Sequence, residues 1–264
     1  MKARFVILLT SASLAACSGP AIRPSLSPAP PKREALLVLP GFGYGSAGGE
    51  SFRALTAAMA RDGLDLYVPT YVTRSGLADS REKLTRFIRD NRLDRYERLH
   101  VFAFLAGGWT LNPLVERAAL PNLATVIYDR SPLQERAPKI AVTRLPTLAW
   151  LRYGSTVFDV ARTPYKAFDA PDVKVALMVE TRPTSFIKKH AEAARQDGPF
   201  DFSCGAFAQR YDDCLYLPLS HDEVYARFAD VWPEVRIFIR TGHFSGAANR
   251  TPPIDDPLPR GKQQ

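Results

Sequence analysis

The sequence predicts an α/β fold, a mostly parallel sheet with helices on both faces, and three observations predict it. Short apolar runs alternate along the chain with longer amphipathic stretches, the order expected when each strand is followed by a helical crossover. Several of the runs stop at Pro or Gly, residues that end a strand or cap a helix. The 264 residues are 46% apolar and 23% charged, which suits one substantial core and excludes a disordered chain. No apolar run is long enough for a membrane-spanning helix.

Taken in order, Leu36 to Leu39 reads as a buried strand ended by Pro40-Gly41. A helix follows, with Phe52, Leu55 and Met59 at helical spacing and Gly63 past its end. Leu64 to Val68 is a second strand, stopped by Pro69. Asp79 and Glu82 form a capping-box-like start for a helix carrying Leu84, Phe87 and Ile88 on one face. Leu99 to Phe104 is the third strand, leading through Gly107-Gly108 into a helix with Leu111, Leu114 and Val115. Leu123 to Tyr128 and Val173 to Val179 are further strands. Residues 133–172 exceed an ordinary connection and are expected to form a cap or lid. Ser220 to Trp232 reads as a helix opened by Ser220 and Glu223, and Val235 to Ile239 as a last strand.

The two ends read differently from residues 35–250, the expected folded domain. Residues 1–16 carry Lys2 and Arg4, an apolar run from Phe5 to Leu9, and then small residues, the pattern of an export signal. Leu14-Ala15-Ala16-Cys17 resembles the bacterial lipobox, which implies lipidation of Cys17 and an anchored protein of the cell envelope. Ser18 after the cysteine implies the outer membrane if the source is Gram-negative. Residues 17–34, rich in proline, read as a tether, and residues 251–264 as a loose tail. Outside a reducing compartment Cys204 and Cys214 are expected to pair as a disulfide; a reactive thiol at Cys204 is the alternative.

Leu39-Pro40-Gly41-Phe42-Gly43, the stretch from Arg61 to Pro69, and Gly242-His243-Phe244 together resemble the α/β-hydrolase family over roughly residues 35–246. The resemblance implies an oxyanion-binding loop using the Phe42 and Ala106 amides, and a catalytic role for His243 oriented by Asp213 or, alternatively, Asp212 or Asp222. The family's Gly-x-Ser-x-Gly turn corresponds to Ala103-Phe104-Leu105-Ala106-Gly107. Leu105 occupies the nucleophile position and has no lone pair with which to attack a carbonyl.

Other candidates are weaker. Gly43 to Gly48 fits Gly-x-Gly-x-x-Gly, but no ribose-binding acid ends the second strand, so no dinucleotide cofactor is expected. Ser46 is a displaced alternative nucleophile. His221 reads as a helix-start residue, His100 and His190 as surface residues, and Trp109 as core. No zinc spacing is present and no metal is expected. The net charge of +8 loses 2 with the signal and 2 with residues 17–34, so a basic-surface function or nucleic-acid partner is not favoured. The expected function is a membrane-anchored protein whose hydrolase-like domain has lost serine-hydrolase activity and binds a small acyl or lipid-like ligand. The alternative is an active esterase using Ser46 or a His243-activated water.

Overall fold

A computed structural model describes residues 21–23, 33–42, 44, 46–116, 120–253 and 256–258. The expected signal and Cys17 lie outside the described residues. Strands β1 (Glu34–Leu39), β2 (Leu64–Tyr67), β3 (Arg98–Phe104), β4 (Leu123–Arg130), β5 (Lys174–Glu180) and β6 (Asp213–Leu217) form one sheet in the order β2-β1-β3-β4-β5-β6. Every neighbouring pair is parallel. All the strands point the same way, so their C-terminal ends share one edge, and each connection must cross a face of the sheet.

Alternation within the strands explains why both faces are covered. Leu36 and Val38 of β1 enter one apolar core with Phe52 and Met59 of helix α1 (Ser46–Arg61). Ala35, Leu37 and Leu39 enter the opposite core with Leu84 of α2 (Leu77–Asp90) and Leu111 of α3 (Leu105–Glu116). A strand buried on both faces has no polar side to present, which is why β1 reads as a continuous apolar run.

Residues 133–172 fold as three short helices, α4 (Ala137–Arg144), α5 (Pro146–Tyr153) and α6 (Ser155–Arg162). They share a small apolar cluster of Ala141, Ala149 and Val157. This segment is pinned to the start of α2. Asp159 Oδ2 accepts from the Leu77 amide at 2.9 Å, Thr156 Oγ1 accepts from the Gly76 amide at 2.9 Å, and the Ser155 amide donates to Arg74 O at 2.8 Å. The first amides of a helix lack intrahelical partners, and Asp159 supplies one from a distant element. Beyond β5 come α7 (Ser185–Lys189) and α8 (Ala191–Arg195).

Three expectations are corrected. Val235 to Ile239 is not a strand but part of helix α10 (Phe228–Thr241), which follows α9 (His221–Ala226). Val231, Val235, Phe238 and Ile239 all bury against the sheet, and their spacing is that of one helical face. The last strand is instead Asp213–Leu217, whose five residues sit between polar turns. The ends are also less free than expected where they are described. Ile22 is 6% exposed and pairs antiparallel with Val68, while Leu258 is 3% exposed and Asp256 meets Arg195.

Candidate functional site

Helix α3 begins directly at Leu105, the residue after β3 ends. A strand that turns into a helix without an intervening loop holds that residue at the sheet's C-terminal edge. The turn is tight because Gly107 lies against β1: a Cβ there would stand 2.9 Å from Leu39 O and 3.1 Å from Leu39 Cβ. The glycine is therefore required by packing, whatever occupies position 105. Gly41 lies on the other side, where a Cβ would be 3.3 Å from Tyr225 Oη and 3.6 Å from the Ala106 amide nitrogen. Its own amide donates to Tyr225 Oη at 2.7 Å, and Tyr71 Oη donates to Pro40 O at 2.7 Å. These two tyrosines fix the loop carrying Phe42 beside the first turn of α3.

Leu105 and Ala106 form part of a cavity of about 450 Å³ at this edge, lined also by Phe42, Trp109, Leu145, Val157, Val160, Phe186 and His221. The lining is mainly apolar, and α4–α6 supply one wall. Leu105 itself is 9% exposed. Trp109 is half-buried, its ring edge-on to Tyr165 and its Nε1 donating to Thr163 O at 2.9 Å. It lines the cavity and so belongs to the site as well as to the packing.

His221 opens α9, four residues after β6 ends, and its position follows from the capping box of Ser220 and Glu223. Its Nδ1 hydrogen-bonds Glu180 Oε1 at 2.9 Å and faces Asp129 Oδ2 at 3.4 Å. Asp129 lies near the end of β4 and Glu180 ends β5, and both are fully buried. The ring packs edge-on to Phe104 and Tyr225, whose own rings stack at 4.1 Å. Sequence reading took His221 for a helix-start residue and stopped the two strands at Tyr128 and Val179, one residue short of each acid. An acid directly after a buried apolar run was the available signal.

The charges of this trio are strongly coupled. Burial, and then the neighbouring Asp129, drives the Glu180 carboxyl well above the usual carboxylate range. Burial alone would favour neutral His221, but the hydrogen-bonded Glu180 and the nearby Asp129 outweigh it and push the ring up to about 10. A second carboxyl beside Glu180 favours its protonated form, and a carboxyl beside the imidazole favours the protonated ring. The contact with Glu180 thus favours the protonated ring of His221. The donor atoms of Asp129, Glu180 and His221 all lie within 4.8 Å, which makes this the place among the described residues where one metal ion could be held. This trio escapes any zinc-type sequence spacing because its members come from three separate elements. The 2.9 Å contact has hydrogen-bond geometry, while both Asp129 oxygens and Glu180 Oε2 are buried without a hydrogen-bond partner.

The other expected site residues lie elsewhere. His243 is exposed beyond the end of α10, with its amide on Thr241 Oγ1. Asp213 starts β6 and accepts from the Phe244 amide and from Arg250, each at 2.8 Å. That is the end of β6 opposite to the one leading to His221, so His243 and Asp213 are near each other but not at the cavity. Helix α10 occupies the place expected of a last strand, so the histidine that follows the last strand is His221 and not His243. Asp212 pairs with Lys174 and accepts from the Val175 amide. Asp222 lines the cavity from the exposed side of α9. His100, expected at the surface, is fully buried against Glu34, and burial lowers its ring to about 4. His190 is half-buried against Phe186. Cys204 and Cys214 form a disulfide. Ser46 begins α1, and its side chain lies outside what is described.

A parallel sheet of this order, with a strand-to-helix turn at Leu105 and a histidine after the last strand, is the architecture of the α/β-hydrolase fold. Solved structures similar to this chain are consistent with that fold. The mature form of lipase BlEst2 from Bacillus licheniformis is 15% identical, with 85% of this chain and 98% of that chain covered at a TM-score of 0.55. Est1E from Butyrivibrio proteoclasticus is 14% identical, covering 81% of this chain and 89% of that one at a TM-score of 0.50. No protein-family profile matches the sequence, and no curated protein matches it.

Proposed function

We propose that this chain is a lipid-anchored envelope protein whose α/β-hydrolase-fold domain binds a small acyl or lipid-like ligand and does not hydrolyse it. The observation that carries this reading is that Leu105 occupies the strand-to-helix turn at the floor of the apolar cavity that His221 also lines. Acyl transfer needs a nucleophile and a base that can accept its proton. Leu105 has no nucleophilic atom, and the buried acids beside His221 Nδ1 favour the protonated ring, which has no free lone pair. The same charge argues against hydrolysis by a His-activated water. Exposed His243 lies too far from the cavity to replace it.

The cavity walls support an apolar ligand. Leu148 lines the cavity yet is 61% exposed, and Trp150 on the same helix is 55% exposed. The mouth therefore opens beside apolar surface, which suits a ligand arriving from a lipid phase. Lipidation at Cys17 would keep the mouth close to such a phase. A fluorophosphonate probe tests the loss of chemistry. The purified full chain should show no labelled serine and no turnover of short acyl esters. Stoichiometric labelling of any serine would restore the hydrolase reading.

A further inference from the structure

We propose that helix α5 docks on an anionic phospholipid surface, with Leu148, Trp150 and Leu151 entering the bilayer and the arginines around them meeting its phosphates. The inference rests on the lipid-anchored reading only for the direction in which this helix faces.

Leu148, Trp150 and Leu151 are three of the four large apolar residues most open to solvent among the described residues, and all three sit on one eight-residue helix. Single exposed apolar residues are ordinary, whereas a group on one element marks a contact surface. At about 100° per residue, they fan around the side of α5 away from Ala149. Ala149 is buried in the small cluster it shares with Ala141 and Val157, and Tyr153 packs on it as well. The fastening of α6 to the start of α2 leaves the outer face of α5 no room to turn inward.

The surroundings of this face are basic. Residues 137–162 hold Lys139, Arg144, Arg152 and Arg162 against one acid, Asp159. That acid is turned to the Leu77 amide. Arg74 joins from the loop ahead of α2, its guanidinium 5.9 Å from the centre of the Trp150 ring and its Nη2 donating to Trp150 O at 3.2 Å. Arg144 donates to the Gln196 side-chain oxygen at 3.1 Å. Among the described residues neither Arg74 nor Arg144 meets a carboxylate, so their charge is open to an outside anion. An indole and two leucines among arginines match a headgroup layer, where the ring lies at the interface and the guanidinium groups reach the phosphates.

The course of the N-terminal segment turns this face toward a membrane. Ile22 and Val68 exchange backbone hydrogen bonds at 2.9 Å just past the end of β2, and the loop that follows β2 carries the Arg74 carbonyl to which Ser155 is fastened. The segment from Cys17 thus meets the fold at the edge of the sheet that also carries α4–α6. Ile22 is five residues beyond Cys17. Five residues span at most about 18 Å, so a lipid on Cys17 would stand close to this edge.

A nitroxide on Leu151→Cys of the full chain, mixed with vesicles of phosphatidylglycerol and phosphatidylcholine, tests the proposal through its collisions with oxygen and with a water-soluble nickel chelate. The label should lie about 5–10 Å below the phosphates. Arg74→Gln and Arg144→Gln should each lower the docking equilibrium about fivefold, and about 1 M salt should reproduce the loss with both arginines in place. If Leu151→Cys fails to fold, Leu148→Cys carries the same label. A label that stays in water while the chain floats with the vesicles would overturn the docking and leave the anchor standing. A chain that does not float with phosphatidylcholine alone, yet buries its label once phosphatidylglycerol is added, would support the docking and remove the anchor. Docking unchanged by both substitutions and by salt would overturn the anionic preference. A label that stays in water beside lipid but is immobilised as the chain is concentrated would assign α5 to a second copy and overturn the proposal.

Discussion

At the scale of single residues, the site is set by where buried charge is placed. The nucleophile position was legible in the sequence because the small residues around Leu105 survive for packing, as the approach of Gly107 to Leu39 O demonstrates. The histidine was not legible, because a capping box and an active-site loop look alike as short polar segments. Asp129 and Glu180 were missed because apolar runs were read only to their last apolar member. The trio has a consequence for stability against pH. The His221 ring is raised to about 10 in the folded chain, so its contribution is complete below about pH 6.5 and lost as pH rises toward 10. Glu180 is also raised. An acid raised on folding stabilises most at low pH and loses that contribution as pH climbs above the unfolded carboxyl range, so the two effects share a sign. The melting temperature should therefore fall between pH 6.5 and 10, and in Glu180→Gln the decline should be shallower. A melting temperature that rises across this interval would contradict the assignment.

At the scale of elements, the helices between β4 and β5 are fastened rather than hinged. The length of residues 133–172 announced a cap, but the fastening uses hydrogen bonds between residues about eighty positions apart, which no local pattern displays. Gly154 carries the closest approach: φ is 66°, and a Cβ would stand 2.1 Å from Arg74 O. Gly154→Ala should cost at least about 2 kcal/mol from backbone strain and displacement, measured by denaturant unfolding. Asp159→Ala removes the distant partner of the Leu77 amide and should cost about 1 kcal/mol. Hydrogen exchange should show the added opening in α6 and the first turn of α2. Unchanged protection there would mean that Asp159 does not fasten the cap.

At the scale of the whole molecule, the fold class was readable because burial on both faces forces continuous apolar strands. The strand order was not readable, since five of the six strands announced themselves while β6 hid in a polar segment and α10 took its place. That segment is closed by Cys204–Cys214. Cross-linking residues ten apart restricts the unfolded chain, so Cys204→Ser with Cys214→Ser should lower stability by about 2–3 kcal/mol. The loss should show as a lower unfolding midpoint, while the cavity at the C-terminal edge of the sheet keeps its ligand affinity.

The protonation of His221 separates a binding floor from a catalytic one. Nitrogen-15 NMR of the ring in the full chain, followed from pH 6 to 11, reads it directly. Both ring nitrogens should remain protonated through neutral pH and lose a proton only near pH 10. A neutral ring at pH 7, with Nε2 unprotonated and ready to act as a base, would contradict the proposed binding role.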